Sequence, residues 1–130
     1  MAYYLDTSAL VKLVVTEPET EALRSWLADR PRDPIACDLV RVELMRAVRR
    51  AEPDRAARAR EVLDAITLCE VTSAVFEAAG RLEPATLRSL DAIDLAAALD
   101  LGDDLEGLVT YDTRMAEAAS TLGIRVITPA

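Results

Sequence analysis

The sequence predicts an α/β protein in which a parallel sheet is covered by helices on both faces. Segments typical of short strands alternate with segments typical of helices along the whole chain, which is the order in which parallel strands are joined. Apolar residues make up 52% of the 130 positions and aromatic residues only 4%, so the core must consist mainly of aliphatic side chains. This composition favours helices packed on a small sheet, and the length fits one domain over residues 1–130.

The first third of the chain predicts two strands and two helices. The apolar run Ala2–Leu5 is typical of a strand, and the Asp6-Thr7-Ser8 segment behind it favours a helix N-cap. A short helix follows, and a second begins at Glu17-Pro18-Glu19. Their apolar residues at helical spacing are Leu10, Val11 and Val14 in the first helix, and Leu23, Trp26 and Leu27 in the second. The loop Arg30–Pro34 then leads into a second strand, Ile35–Cys37.

The middle third predicts three helices and a third strand. Asp38 is a favourable N-cap for a helix over Leu39–Arg50, which has one apolar face. Pro53 begins an Ala- and Arg-rich helix that runs to about Ile66. A third strand is predicted over Thr67–Val71 and a helix over Val75–Leu82. Thr72-Ser73, between them, favours an N-cap for this helix.

The last third predicts a buried helix, two strands and a surface helix. Ser89–Leu101 is apolar nearly all round, which indicates a central helix. Gly107–Thr110 is a fourth strand that runs into Asp112. A helix over Thr113–Leu122 and a strand over Ile124–Thr128 complete the alternation.

Charge and residue content exclude several classes of site. The 23 acidic and 15 basic residues give a formal charge of −8, which is unusual for a nucleic-acid-binding protein because phosphate affinity comes from Lys and Arg. Lys12 is the only lysine, and arginine is suited to both phosphate and carboxylate recognition. The absence of histidine excludes His-ligated zinc and Ser-His-Asp triads. Cys37 and Cys69 have no paired spacing, and we expect both to be small buried hydrophobes.

The sequence also bears on location. The first ten residues contain no basic segment followed by a long apolar run, as a secretory signal would. No stretch approaches the roughly 20 apolar residues that a membrane-spanning helix needs. Together with two unpaired cysteines, this predicts a reduced, cytoplasmic protein with no membrane partner.

Five acids are placed where a carboxylate is costly unless it has a function. Asp6 and Asp112 follow strands, and ligands of parallel sheets bind at the carboxyl ends of strands. Glu43 borders the apolar face of its helix, where a carboxylate needs a partner or a metal. Asp91 and Asp94 are one turn apart on an apolar helix, so their charges repel and resist desolvation.

Each acid also has an alternative role that needs no metal. The strand-end acids would cap helices, Glu43 would pair with Arg46 or Arg50, and the helix N-terminus would stabilise the remaining two. Together, however, carboxylates from distant parts of the chain would repel unless a hard cation held them, and oxygen ligands favour Mg²⁺ or Mn²⁺. Such a pocket suits phosphodiester hydrolysis. Ser8 and Thr110 would hydrogen-bond a ligand, water or phosphate there, or support the local turns.

Four short segments resemble a known family. They are Tyr4–Leu10 (YLDTSAL), Arg41–Leu44 (RVEL), Leu90–Ala96 (LDAIDLA) and Val109–Asp112 (VTYD). Their order and spacing resemble those of PIN domains, and most closely the VapC toxins of bacterial toxin–antitoxin pairs. The resemblance spans essentially the whole chain, and it implies a single three-layer α/β/α PIN domain with a short, mostly parallel sheet.

The resemblance also implies an activity and a set of partners. It implies a Mg²⁺- or Mn²⁺-dependent endoribonuclease that acts as a toxin, forms a homodimer and is inhibited by a small cognate antitoxin. The residues that match the family's acidic ligands are Asp6, Glu43, Asp91 and Asp112. Asp94 is a further candidate metal ligand, although it falls where many relatives carry another residue. We further predict that arginines contact RNA phosphates around the pocket, and the candidates are Arg41, Arg46, Arg49, Arg50, Arg88 and Arg114.

Three other functions fit parts of the pattern. A haloacid dehalogenase-type phosphatase would need a second Asp at position 8, where this chain has Ser8, and a late catalytic lysine. A receiver domain would also need a lysine after a late strand, and Asp112-Thr113-Arg114 offers none. A non-catalytic PIN-like binding or regulatory module would have no need to keep the four acids.

Overall fold

The computed structural model describes residues 2–130, which form five strands and seven helices. The strands are β1 (Ala2–Leu5), β2 (Asp33–Cys37), β3 (Thr67–Cys69), β4 (Leu105–Val109) and β5 (Val126–Ile127). The helices are α1 (Thr7–Lys12), α2 (Thr20–Ala28), α3 (Val40–Ala51), α4 (Ala56–Ala65), α5 (Ser73–Gly80), α6 (Ser89–Asp100) and α7 (Thr113–Thr121). Short 3₁₀ turns occupy Pro53–Arg55 and Gly102–Asp104.

The strands form one sheet in the order β3-β2-β1-β4-β5. Every neighbouring pair is parallel, so the predicted mostly parallel sheet is parallel throughout. The chain builds outward from β1 to β3 and then returns to the other side of β1 with β4. This change of direction creates a crevice at the carboxyl ends of β1 and β4, which is where parallel sheets bind ligands.

Two apolar cores, one on each face of the sheet, confirm the three-layer arrangement. Tyr3 and Leu5 of β1 face helices α1 to α4, while Tyr4 faces α5 to α7. The helical residues buried in the first core include Leu10, Leu23, Leu44 and Val62, and those in the second include Val75, Leu95 and Met115. Because β1 is buried on both faces, its carboxyl end is held firmly in the middle of the molecule.

Some predicted boundaries are wrong for identifiable reasons. β2 begins at Asp33 rather than Ile35, and Pro34 is tolerated because β3 begins only opposite Ile35. Asp38 does not cap α3, since its backbone N–H bonds to Cys69 and its carbonyl accepts from Arg41, with no bond from its side chain.

The expectation that Cys69 is buried and the predicted start of β4 also need correction. Cys37 is buried as predicted, but Cys69 is only partly buried because it ends the edge strand β3. β4 begins at Leu105 rather than Gly107, and Gly107 lies inside it, where a Cβ would come within 2.7 Å of the Ile127 side chain on β5. Within residues 2–130, no helix has the length and apolar character to cross a membrane.

Candidate active site

Asp6 lies at the carboxyl end of β1. Its carboxylate accepts hydrogen bonds from the start of α1 and from the residue that follows β4. The residue is 5% exposed. Its Oδ1 accepts from Ser8 Oγ at 2.6 Å and from the Ala9 backbone N–H at 3.1 Å, so it caps α1 as its residue type predicts. Its Oδ2 accepts from Thr110 Oγ1 at 2.5 Å. The carboxylate therefore joins the ends of the two central strands.

The charge of Asp6 is poorly compensated. Burial raises its pKa, the hydrogen bonds from Ser8, Thr110 and Ala9 lower it, and the nearby Asp112 carboxylate raises it again. No arginine or lysine in the described part of the chain forms an ion pair with Asp6. A buried acid of this kind would be stabilised by a cation at its exposed edge.

Ser8 and Thr110 perform matching functions on either side of Asp6. Each hydroxyl donates to one Asp6 oxygen. Ser8 Oγ accepts from the Tyr111 N–H at 2.9 Å, and Thr110 Oγ1 accepts from the Asp112 N–H at 3.1 Å. The two side chains therefore fasten the segment that carries Asp112 to the carboxyl end of β1. Their predicted contact with a ligand, water or phosphate stays a prediction.

Asp112 and Asp91 are linked by an arginine. Asp112 caps α7, with its Oδ1 accepting from the Arg114 N–H at 2.9 Å. Its Oδ2 lies 3.7 Å from Arg88 Nη2, and Asp91 Oδ2 lies 3.2 Å from Arg88 Nε. Arg88, in the turn before α6, thus provides the positive charge between these two acids.

Glu43 faces the site from α3. The Thr7 hydroxyl, 3.4 Å from Oε1, is the only hydrogen-bond partner of the Glu43 carboxylate among the described residues. Burial raises the pKa of Glu43, the Thr7 hydroxyl lowers it, and the charges of Asp91 and Asp6 raise it. The alternative ion pair with Arg46 or Arg50 is not formed. The charges that act on Glu43 are those of the acids Asp91 and Asp6.

Asp94 lies beneath the site rather than within it. Its Oδ1 accepts from Tyr4 Oη at 2.6 Å and lies 3.6 Å from Cys37 Sγ, in the core on the α5–α7 face. Burial raises the pKa of Asp94 to about 7, with Glu43 and Asp6 among the charges that raise it. Because its hydrogen bonds are directed into the core, its predicted role as a metal ligand has the weakest geometric support of the five acids.

The arginines predicted to contact RNA are distributed over two surfaces. Arg41, Arg46, Arg49 and Arg50 are all exposed on α3. Arg49 and Arg50 occupy the last turn, about 9–11 Å along the axis from Glu43 at 1.5 Å per residue. Arg114 lies at the start of α7 and lines a cleft beside Asp91. Their contacts with RNA stay predictions.

The donor set fits a hard divalent cation in its chemistry. Four carboxylates surround the crevice with no nitrogen or sulfur donor from histidine or a cysteine pair, which favours Mg²⁺ or Mn²⁺. In the geometry seen here, however, no three Asp, Glu or Cys side chains of residues 2–130 converge closely enough to hold an ion. Asp91 and Asp112 are partly exposed, so their side chains have room to change rotamer if a cation replaces Arg88 as their partner.

Sequence reasoning missed the residues that support the acids through space. Thr7 bonds Glu43, and Tyr4 bonds Asp94, although neither pairing leaves a local signal in the sequence. Arg88 was predicted to contact RNA, whereas here it bridges two acids. The spacing of Arg88 and Asp91, three apart at the start of a helix, is the one pattern that indicates such a pair.

Replacing Thr110 with valine should destabilise the protein. The buried hydroxyl donates to Asp6 and accepts from the Asp112 N–H, so its loss leaves two polar groups without partners. We expect a loss of about 1–3 kcal/mol in the free energy of unfolding in urea. Thr67→Val, which removes an exposed hydroxyl from β3, is the matched control and should change the value by about 0.5 kcal/mol or less. Equal effects of the two substitutions would contradict the structural role of Thr110.

Comparisons with known proteins agree with the fold. The PIN domain family model matches residues 3–120. Ribonuclease VapC46 of Mycobacterium tuberculosis is 48% identical over 129 residues, which cover 98% of each chain. The solved structure of M. tuberculosis VapC20, described as a sarcin–ricin loop cleaving toxin, has a TM-score of 0.75 at 18% identity and covers 89% of this chain and 94% of its own.

A second solved structure extends the likeness to almost the full chain. A toxin–antitoxin complex from Klebsiella pneumoniae contains a chain with a TM-score of 0.74 at 22% identity, covering 98% of both chains. These structures show the fold, while the family is shown by the match to the PIN domain model and by the near full-length identity to VapC46. The chain belongs to the PIN-domain family and, within it, to the VapC ribonucleases.

Proposed function

We propose that this protein is an endoribonuclease that requires a divalent cation, Mg²⁺ or Mn²⁺, and acts as the toxin of a toxin–antitoxin pair. The observation that carries the proposal is the buried carboxylate of Asp6, which has no ion pair among the described residues and lies beside Asp112 at the ends of the two central strands. The relatives named ribonuclease VapC support RNA as the substrate.

The cation would be held by the acids around the crevice, which are Asp6, Asp91, Asp112 and Glu43. When bound, it would supply polarisation of a phosphoryl oxygen and a lower pKa for an attacking water. Ser8 and Thr110 keep the Asp6 carboxylate oriented toward the crevice and favour its ionised form. Glu43 is only partly buried and has a raised pKa, which suits it to accept a proton from a water molecule.

The substrate must bind to a chain with a formal charge of −8, so positive charge has to be concentrated near the crevice. The exposed arginines of α3 and Arg114 of α7 are suited to this, because the guanidinium group binds phosphate through paired hydrogen bonds. We therefore retain Arg46, Arg49, Arg50 and Arg114 as proposed RNA contacts.

The proposed protein partner is a small antitoxin, with a cytoplasmic location and a homodimeric state as parts of the same proposal. Support comes from the Klebsiella pneumoniae toxin–antitoxin complex and from the structure of Rickettsia felis VapBC2 bound to promoter DNA, each of which contains a chain with the fold of this one. A small open reading frame beside the gene, encoding a protein that co-purifies with this chain, would supply direct support.

Two alternative enzymatic functions lose support from the position of the single lysine. Lys12 Nζ lies 2.8 Å from Glu19 and 3.5 Å from Glu17, and it packs over the Tyr111 ring at 4.6 Å. It is 8% exposed, so it cannot serve a phosphoryl group as the lysine of a phosphatase or receiver domain would. The non-catalytic binding module is the alternative that experiment must separate from a nuclease.

Incubation of the purified protein with total RNA tests the proposal. We expect cleavage with Mn²⁺ or Mg²⁺ and none with excess EDTA, and mapping of the new RNA ends would identify the target. We also expect Mn²⁺ to raise the melting temperature in the absence of RNA, since a ligand of the folded state stabilises it. Intact RNA under all conditions, with no stabilisation by either ion, would support the binding module instead.

A further inference from the structure

A cleft of about 310 Å³ opens directly beside the acids, between α7 and the segment that leads into α6. Arg88, Asp91 and Arg114 lie in its lining, together with Glu117 of α7. Its remaining wall includes the aliphatic side chains of Leu87 and Ala118. This volume is at the lower end of the roughly 300–1,000 Å³ found for small-ligand sites, so the cleft suits a single nucleotide unit.

The two arginines of this cleft have only weak ion pairs or none. The Arg88 side chain is 63% exposed, although it reaches both Asp91 and Asp112. Ion pairs at such exposed positions are weak because water competes for both groups. Arg114 is exposed and has no ion pair among the described residues. Both guanidinium groups are therefore available for an anionic ligand.

Arg88 and a divalent cation would compete for the same oxygens. The carboxylates of Asp91 and Asp112 now face the Arg88 guanidinium, yet both belong to the proposed metal ligands. A divalent cation between these acids would repel Arg88 and take over its partners. The released side chain would remain at the mouth of the cleft, where its planar fork is suited to a phosphate.

We propose that the cleft receives one nucleotide of the RNA strand next to the reacting phosphate, with Arg88 and Arg114 as its phosphate ligands. When the cation binds, Arg88 leaves the carboxylates of Asp91 and Asp112 and binds the RNA instead. This inference rests on the proposed function and assigns a place to the substrate. Glu117, one helical turn after Arg114, repels phosphate from its own side of the cleft. The sugar and base would pack on the aliphatic wall.

RNA binding in saturating Mn²⁺ tests the phosphate contacts, with Glu43→Gln introduced into every protein compared so that the RNA is not cleaved. The probe is a fluorescein-labelled 12-nucleotide single-stranded RNA, and the measurement is its anisotropy over a range of salt concentrations. Arg88→Gln and Arg114→Gln should each weaken binding roughly five- to tenfold at about 50 mM salt and lower the slope of log K against log salt by about 0.7. Glu117→Gln should strengthen binding, because it removes a negative charge from the path of the strand.

The matched controls are Arg60→Gln and Asp64→Asn, both exposed on α4 on the opposite face of the sheet. They change the net charge by the same amounts as the cleft variants. If contacts rather than net charge decide binding, the RNA affinity and the slope of log K against log salt should stay within about twofold of the wild type. Equal effects of the cleft variants and these controls would overturn the proposal.

The exchange of Arg88 between acids and RNA has a second readout that needs neither RNA nor activity. Calorimetric titration of Mn²⁺ should show tighter binding to Arg88→Gln than to the wild type, by roughly tenfold, because a competing positive charge is gone. Arg114→Gln should bind Mn²⁺ with nearly wild-type affinity. Unchanged Mn²⁺ binding by Arg88→Gln would overturn the exchange.

These outcomes separate the cleft from the proposed function. A wild-type protein that cleaves RNA with Mn²⁺, but whose RNA affinity is insensitive to Arg88→Gln and Arg114→Gln, would retain the nuclease assignment and lose the nucleotide cleft. A wild-type protein that neither cleaves nor binds RNA would lose both.

Discussion

Asp6→Asn should abolish RNA cleavage while leaving the fold intact. The substitution removes the charge of the most buried acid in the crevice, and we expect a loss on the order of a thousandfold or more, as for other groups essential to a catalytic unit. The fold should survive because the amide oxygen can still accept from Ser8 and from the Ala9 N–H. The amide nitrogen would face Thr110, whose hydroxyl can rotate to accept from it.

The measurements are cleavage of total RNA with Mn²⁺ and unfolding in urea. Asp38→Asn is a matched control, since Asp38 follows β2 at the same edge of the sheet and its side chain forms none of the hydrogen bonds described for the site. The control should retain activity within a fewfold of the wild type. Substantial cleavage by a folded Asp6→Asn variant would remove Asp6 from the proposed metal ligands.

Asp94→Asn should make the stability of the protein less dependent on pH. The pKa of Asp94 is about 7 in the fold, against 3.8 as its ordinary value. Between these two values the unfolded chain has released the proton and the folded chain retains it, so the free energy of unfolding decreases as pH rises through this window. At 1.36 kcal/mol per pKa unit, the loss attributable to Asp94 is on the order of 4 kcal/mol between about pH 4 and pH 7.

Asparagine keeps an oxygen for the Tyr4 hydroxyl but does not ionise, so this part of the pH dependence should disappear. Part of the slope should remain, because burial also raises the pKa values of Asp6 and Glu43. Urea unfolding at a series of pH values from 4 to 8 measures the effect, with Asp64→Asn on the exposed face of α4 as the control. An identical slope for Asp94→Asn and wild type would show that Asp94 is ionised in the fold at neutral pH.

The sequence predicted those parts of the fold that depend on local patterns. The alternation of apolar strands and helices gave the α/β class, and Asp6, Thr72 and Asp112 cap helices as their residue types favour. Asp38 has the same local preference, yet β2–β3 pairing uses its backbone and α3 begins without its side chain. Local propensity was overruled there by a contact with a strand distant in sequence.

The candidate site shows the same division between local and distant contacts. Strand-end placement was sufficient to bring Asp6 and Asp112 to one crevice, because the carboxyl ends of parallel strands share an edge. Helical spacing placed Asp91 and Asp94 one turn apart, but it could not show that Tyr4 would bind Asp94 in the core. Nor could it show Arg88 between Asp91 and Asp112, since that contact joins the turn before α6 to the N-cap of α7, which is distant in sequence.

The insertion of β4 beside β1 bears on how such an enzyme can be made without harm to its own cell. The hydrogen bond that closes the crevice joins Thr110 to Asp6 across 104 positions of the chain. During synthesis on the ribosome, β1 to β3 and most of the helices emerge first, while the acid and hydroxyl behind β4 emerge last. A partly translated chain therefore carries three of the four crevice acids but lacks Asp112 and the Thr110 hydroxyl, so the crevice stays incomplete until the final segments have been released.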